Sequence, residues 1–301
     1  MLSFIAGDIT GSAFENLDYE EAKKHWDSLH HPGQTYTDET VIALGTAYWL
    51  LIPGAVEARQ NPSRWLVPLL KEHREHFLDS GLLNLLQFPE TFLMDKFRAN
   101  VLSGMVAPIA LWSSSDEECD QLIELAFTSL TTHPESLIAG KVLGKMLRWS
   151  YLPEFRENPR YLGTALNERF PDFFAEEVDI EHEKNHHLFN NQFPFLVRLC
   201  NQFLLHHEET LTITSLLQSI LKLYGNASSQ LAVLGMIHEG LYGLDEEFVQ
   251  SKILQKSFFF DQRFPNLLYA FFKNERVQQF YAKNGRSIPD LHTWLNSVPQ
   301  N

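Results

Sequence analysis

The chain has 301 residues, of which 44% are hydrophobic and 21% charged, and its formal net charge is −14. A chain of this length and composition can bury a sizeable core, so we predict one domain covering residues 1–301. The negative charge argues against nucleic acid as a partner, because phosphates favour clustered Lys and Arg.

The apolar segments and the cysteines indicate where such a chain would work. No apolar run approaches the ~18–20 residues that span a bilayer, and residues 1–8 lack the basic stretch of a signal peptide. Cys119 and Cys200 are far apart and fit neither a disulfide framework nor a thiolate metal site. We therefore expect a cytoplasmic protein without a membrane contact.

Apolar residues recur with a helical period along most of the chain, and few segments alternate as strands do. Thr37 is placed to cap a helix that runs to about Ile52. Ser115 and Thr132 each begin a capping-box pattern, in which a Ser or Thr is followed three residues later by Glu. These patterns predict an all-α fold.

The second half of the chain continues this helical pattern after one less regular stretch. Residues 153–195 are rich in Pro, Phe and Glu, and we interpret them as loops and short helices. An apolar face from Leu216 to Leu223 precedes Gly225, a residue type that commonly ends helices. A further helix is predicted from Ser228 to Gly243, where small residues would let another backbone approach closely.

Two short segments near the N-terminus carry candidate chemistry. Residues 36–40, with the sequence YTDET, place successive oxygen-bearing side chains at the start of a helix. They fit a helix cap with acidic residues that complement the helix dipole, or a site for a hard cation such as Mg²⁺. In the other segment, which lies earlier in the chain, Gly7 and Gly11 precede Glu15. They fit close helix packing beside a solvated Glu15, or a tightly packed helix that delivers a carboxylate to a site.

Together, Gly7-Asp8-x-x-Gly11-x-x-x-Glu15 and the YTDET segment resemble the N-terminal signature of the ADP-ribosylglycohydrolases. Three later segments resemble other motifs of that family in the same order. These segments are residues 103–111 (SGMVAPIAL), residues 130–140 with the sequence THP at 132–134, and residues 224–243. The resemblance covers about residues 1–243.

The resemblance implies a compact, orthogonal multi-helix bundle of the ADP-ribosylglycohydrolase type. Family members cleave the glycosidic bond between ADP-ribose and a protein side chain or small acceptor, and two Mg²⁺ ions lie between their two acidic motifs. Carried over, the resemblance assigns catalytic roles to Glu15 and Asp38. It assigns metal binding to Thr37, Asp38, Glu39, Ser228 and Ser229, and substrate binding to Ser103, Gly104, His133 and Asn226.

This sequence departs from the family at the site itself. Asn226 and Ser228 occupy the two aspartate positions of the C-terminal motif, and Ser229 occupies its threonine position. Glu39 replaces an aspartate, and Val106 stands where the family usually has arginine. Because affinity for Mg²⁺ depends on ligand charge, the sequence predicts one weakly bound Mg²⁺ or none.

Three functional hypotheses follow. The first is a hydrolase of ADP-ribosylated protein or of a small ADP-ribosylated acceptor, with altered or reduced metal dependence. The second is a catalytically inactive relative that binds ADP-ribose, ADP-ribosylated protein or a protein partner through the same cleft. The third is a helical interaction module without a nucleotide site.

Other clusters favour structural explanations. Adjacent histidines at 30–31, 186–187 and 206–207 would diverge by about 100° on a helix, which argues against a shared zinc ion. The acidic run at residues 176–183 is typical of a solvated loop. Aromatic residues at 258–260 and 269–272 are typical of a core or a packing interface.

Overall fold

The computed structural model describes residues 1–15, 21, 24, 34–58, 60–76, 80–88, 93–156, 158–175, 192–206, 212–213, 215–216, 227–253, 263–288 and 290–291. Within these ranges the regular structure is helical and contains no strand, which confirms the predicted all-α class. The α-helices of the described residues are α1 (Leu2–Ser12), α2 (Asp38–Leu51), α3 (Ser63–Glu72), α4 (Ser80–Gln87), α5 (Ser103–Trp112), α6 (Asp116–Phe127), α7 (Pro134–Ser150), α8 (Pro159–Arg169), α9 (Pro171–Phe174), α10 (Phe193–His206), α11 (Ala227–Tyr242), α12 (Glu246–Ile253), α13 (Arg263–Lys273) and α14 (Glu275–Lys283).

Four helices form the centre of the molecule. Every residue of α1 and α5 is buried, and α2 and α11 are buried along nearly all of their length. A helix that is apolar all round needs partners on all sides. Accordingly α1 packs mainly on α11, α2 packs mainly on α5, and amphipathic helices such as α13 cover the outside.

Glycines allow α1 and α11 to approach each other at backbone distance. A Cβ atom added at Gly7 would lie 2.1 Å from the carbonyl oxygen of Leu231, and one at Gly11 would lie 2.5 Å from the backbone of Ser228. At the other end of the crossing, Gly235 meets the carbonyl oxygen of Ser3 in the same way. The two helices therefore run antiparallel in close contact, and this contact brings the start of α11 to the end of α1.

We expect Gly7→Ala to destabilise the protein by about 1–3 kcal/mol, because the added methyl group meets backbone atoms that cannot rotate away. Gly45→Ala is the matched control, since its Cβ would meet the flexible side-chain ends of Leu66 and Leu69 and alanine favours a helix. Urea unfolding measures both changes. Equal stability of the two variants would contradict the close crossing.

The helix starts agree with the sequence in part. Ser115 caps α6 by accepting a hydrogen bond from the backbone N–H of Glu118, as predicted. The prediction that Thr132 caps the next helix was wrong by one residue, because His133 occupies the N-cap of α7. The reason is Pro134, whose fixed φ suits the first helical position.

Several predicted features lie wholly or largely outside the described residues. They are the helix from Leu216 to Leu223 with Gly225, the acidic run at 176–183, the aromatic residues at 258–260, the histidine pairs at 30–31 and 186–187, and Asn226. Of the other aromatic stretch, Phe271 and Phe272 are buried in the core, as expected, whereas Tyr269 is exposed.

Candidate functional site

Carboxylate and hydroxyl side chains meet where α1 ends and where α2 and α11 begin. We call this group the carboxylate cluster; its acidic members are Asp8, Glu15 and Glu39, and its hydroxyl members are Thr37, Thr40, Ser228 and Ser229. Asp8 and Glu39 are almost completely buried, whereas Glu15 is partly buried. The close crossing of α1 and α11 explains how residues more than 200 positions apart come together.

Asp8 ties α1 to the first turn of α2. Its carboxylate accepts hydrogen bonds from the backbone N–H of Thr37 at 2.9 Å and from the hydroxyls of Thr37 and Thr40, each at 2.5 Å. Thr37 is the N-cap residue of α2, as predicted, but its side chain makes no capping hydrogen bond. The predicted capping role of its hydroxyl was therefore wrong, because that hydroxyl turns to the buried carboxylates.

Glu39 connects α2 to α11. Its Oε1 atom accepts a hydrogen bond from the hydroxyl of Ser229, which is 190 residues away in the sequence. Its Oε2 atom lies 2.5 Å from the same Thr37 hydroxyl that contacts Asp8. The resemblance implies that residues 37–39 face residues 226–229, and the described part of the second segment, at Ser229, does contact Glu39.

The position of Thr37 constrains the charge of the cluster. A threonine hydroxyl has a single proton, so it can donate to Asp8 or to Glu39 but not to both. If both carboxylates were ionised, one short oxygen–oxygen contact would have no proton in it. The arrangement therefore fits one of two states. Either Asp8 or Glu39 is protonated and donates to the Thr37 hydroxyl, or a cation lies among these oxygens.

Glu15 stands at the more accessible side of the cluster. Its Oε1 atom accepts hydrogen bonds from the backbone N–H of Ser228, at 3.0 Å, and from the Ser228 hydroxyl. Ser228 lies in the first turn of α11, where backbone N–H groups have no partner within the helix. Glu15 thus satisfies one of these groups from outside the helix.

Burial and mutual repulsion hold protons on the cluster. Burial, followed by the nearby charge of Glu39, raises the pKa of Asp8 to about 7. The same two causes raise the pKa of Glu15 to about 8, although the hydrogen bonds from Ser228 oppose the shift. Within the described ranges, no Lys or Arg forms an ion pair with Asp8, Glu15 or Glu39.

The donor atoms of the cluster suit a hard divalent cation. All of them are carboxylate or hydroxyl oxygens, which Mg²⁺ prefers. Asp8 and Glu39 both approach Thr37, so these three side chains could hold such an ion. In the described part of the chain, however, no three carboxylates of the cluster bring ligand atoms within 4.8 Å of one another. Among the described residues, the cluster thus offers a cation fewer than three close carboxylate ligands.

The remaining predicted site residues are distributed unevenly. Gly104 packs against the carbonyl oxygen of Glu39, and Ser103 beside it is fully buried; its hydroxyl has no hydrogen-bond partner among the described residues. Asp38 is also buried, in the turn between Thr37 and Glu39. Val106, at the family's arginine position, is fully buried in the core.

His133 has a different setting from the other predicted residues. It accepts a hydrogen bond from the backbone N–H of Ser136 as the cap of α7. The pKa of its ring is lowered by partial burial and then by Arg98. Its hydrogen bonds in the described structure go to Thr131 and Ser136, and they do not connect it to the carboxylate cluster.

Asp8 and Thr40 are members of the cluster that the sequence analysis did not identify as site residues. A signal was present for Asp8, because it is the one charged residue in the otherwise uncharged helix α1. No such signal pointed to Thr40, since a threonine is common in the first turn of a helix.

Comparison with known proteins does not assign the chain to a family. No family model matches it, and no curated protein matches it significantly. Among the described residues, no helix is both long enough and apolar enough to cross a membrane.

Proposed function

We propose that the protein is a hydrolase of the ADP-ribosylglycohydrolase type, which cleaves ADP-ribose from a protein side chain or small acceptor at the carboxylate cluster. The observation that carries the proposal is the convergence of Asp8, Glu15 and Glu39 on hydroxyls from two distant segments. A carboxylate that is buried without a basic partner destabilises the folded state. Such carboxylates are common in active sites, where catalysis uses groups with shifted pKa values. The motifs around them are those that resemble the family.

Glu15 is suited to acid–base catalysis. It is the most accessible carboxylate of the three, and its pKa of about 8 lies close to neutral pH. A general acid or base works best when its pKa is near the working pH. Glu15 would be mainly protonated at neutral pH, so it could give its proton to the leaving group and recover one from the attacking water.

The other residues would position the reactants. Thr37, Glu39 and Asp8, together with Asp38 as the family resemblance implies, would hold one Mg²⁺, whose chemistry is to orient ribose hydroxyls and stabilise negative charge. The buried Ser103 hydroxyl, beside the Gly104–Glu39 contact, could donate a hydrogen bond to a bound substrate. An oxocarbenium-like transition state would gain from the carboxylates around it.

The second candidate is an inactive relative that binds ADP-ribose or an ADP-ribosylated protein. The direct hydrogen bond between Ser229 and Glu39 favours it, because that contact occupies the space between the two motifs. The buried Val106 favours it as well, since no cation is supplied at that position.

We expect the purified chain to release ADP-ribose from an ADP-ribosylated protein in the presence of MgCl₂. Glu15→Gln should lower the rate at least about 100-fold, because it removes the proton donor and keeps the shape. Glu124→Gln, an exposed change on α6, is the matched control and should leave the rate unchanged. Chromatographic assay of free ADP-ribose measures both.

The other outcomes separate the candidates. Calorimetry with ADP-ribose should be run on the same preparations. Binding without release would support the inactive relative. Neither binding nor release would exclude both candidates and leave the helical interaction module.

A further inference from the structure

His73, Glu75 and His76 form a second group of possible metal ligands, separate from the carboxylate cluster. One ligand atom from each of the three lies within 4.8 Å of the others. Among the described residues, they are the one set of three His, Cys, Asp or Glu side chains with this spacing. Two imidazoles and a carboxylate are a common ligand set for zinc and differ from the all-oxygen donors that suit Mg²⁺.

Local backbone structure creates this spacing. Helix α3 ends at Glu72, His73 follows as its C-cap residue, and residues Arg74–His76 form a short 3-10 helix. The backbone N–H of His76 donates to the carbonyl of His73 at 3.0 Å. Side chains three positions apart are eclipsed in a 3-10 turn, so the two imidazoles project to the same side.

Neighbouring hydroxyls orient both rings. The Nδ1 atom of His73 lies 3.1 Å from the hydroxyl of Tyr36, and the Nδ1 atom of His76 lies 3.4 Å from the hydroxyl of Thr35. Histidines that bind a metal usually have their second nitrogen hydrogen-bonded in this way, which fixes the ring. With Nδ1 engaged in each ring, the ligand nitrogen would be Nε2, and Nε2 of His76 already lies 3.7 Å from a carboxylate oxygen of Glu75.

Packing supports one side of the group and leaves the other open. Tyr36 stacks on His76 with ring centroids 4.1 Å apart, and Phe264 packs on His73 at 4.7 Å. His73 is buried, whereas the side chains of His76 and Glu75 are 23% and 63% exposed. An ion could therefore enter from solvent and keep water in its remaining coordination positions.

We propose that His73, Glu75 and His76 bind one Zn²⁺ ion, with Tyr36 and Thr35 holding the two imidazoles in place. The site would fix Tyr36, which immediately precedes Thr37 of the carboxylate cluster, and would thereby tie the end of α3 to the start of α2. The proposal does not depend on the proposed hydrolase function.

Calorimetric titration of the full chain with ZnCl₂ tests the site in the presence of excess MgCl₂, which should not compete. We expect one Zn²⁺ per chain at this site, about 100-fold weaker binding in His76→Gln and about tenfold weaker binding in Glu75→Gln. His206→Gln is the matched control, because His206 is exposed on α10, and it should bind as the unchanged protein does. Co²⁺ should give visible absorption bands that His76→Gln removes.

Two results would overturn the proposal: no zinc binding by the unchanged chain, or the same affinity in both ligand variants. Circular dichroism should be used to check that His76→Gln is folded. If it is not, Glu75→Gln decides the question alone, since the exposed Glu75 side chain contributes little to the core.

Discussion

In the absence of divalent cations, the carboxylate cluster should stabilise the protein by several kcal/mol more at pH 5.5 than at pH 8.5. The pKa values of Asp8 and Glu15 in the folded protein, about 7 and about 8, lie well above their ordinary values of 3.8 and 4.5. Between about pH 4 and pH 8 the folded state therefore holds protons that the unfolded state has released. The contribution of Asp8 and Glu15 to stability therefore falls as the pH rises through this window.

The size of the effect follows from the same values. For Asp8 alone, a pKa raised from 3.8 to about 7 corresponds to roughly 4 kcal/mol at most. This direction is opposite to that of most acidic residues, whose pKa values are lowered in folded proteins and which destabilise the fold when they are protonated. Mg²⁺ should reduce the pH dependence, because a cation in the cluster favours the ionised carboxylates.

Urea unfolding at pH 5.5, 7.0 and 8.5, with EDTA and then with MgCl₂, measures this dependence. Asp8→Asn should make the stability vary less with pH, because it removes one of the two groups. Asp172→Asn changes an exposed aspartate on α9 and should leave the dependence as it is. If Asp8→Asn and the unchanged protein showed the same dependence on pH in EDTA, Asp8 would be ionised in the folded protein and the explanation would be wrong.

Sequence patterns predicted the helices well where the signal is local. The start of α2 after Thr37 and the start of α6 after Ser115 depend on capping residues and on the apolar residues that follow them. The start of α7 was missed by one residue because Pro134 outweighs the capping pattern at Thr132. The contact between Glu39 and Ser229 is not local, and it was predicted from the family resemblance and not from periodicity.

The chemistry of the cluster could not be predicted from its motifs one at a time. The sequence predicts that the Thr37 hydroxyl caps its own helix. In the fold, that hydroxyl instead donates a hydrogen bond to Asp8 of another helix. His133 lies in a segment that resembles a motif of the ADP-ribosylglycohydrolases, yet its hydrogen bonds stabilise the start of α7. The 3-10 turn that brings His73 to His76 has no clear sequence signal, because an α-helix would be equally compatible with that spacing.

Ser228→Asp should convert the cluster into a stronger Mg²⁺ site. Ser228 is buried beside Glu15, and the family motif that this segment resembles has an aspartate at that position. A further carboxylate there adds an anionic ligand, and affinity for Mg²⁺ depends on the number of such ligands. We expect the unchanged protein to bind one Mg²⁺ at most, and the variant to bind it at least about tenfold more tightly.

Without Mg²⁺ the same change should cost roughly 2–3 kcal/mol of stability, because a new buried anion faces Glu15 and no cation offsets it. Added MgCl₂ should restore the loss, since an ion that binds the folded state stabilises it. Ser228→Asn is the control: it has the size of aspartate but no charge, so its stability should not respond more strongly to MgCl₂. Thermal melts with and without MgCl₂ and calorimetry measure these effects.

Catalysis then shows whether charge was the missing feature. If the proposed hydrolase is slow because its C-terminal motif is neutral, Ser228→Asp combined with Asn226→Asp should release ADP-ribose faster. A gain of about 2.8 kcal/mol in transition-state stabilisation would raise the rate about a hundredfold. A double variant that binds Mg²⁺ tightly but gains no rate would place the defect elsewhere. Glu39, longer than the aspartate it replaces, and Val106, which supplies no cation, would then be the residues to change next. A double variant that gains neither affinity nor rate would show that the neutral motif is not the sole defect, and the direct contact between Ser229 and Glu39 would then be the next feature to test.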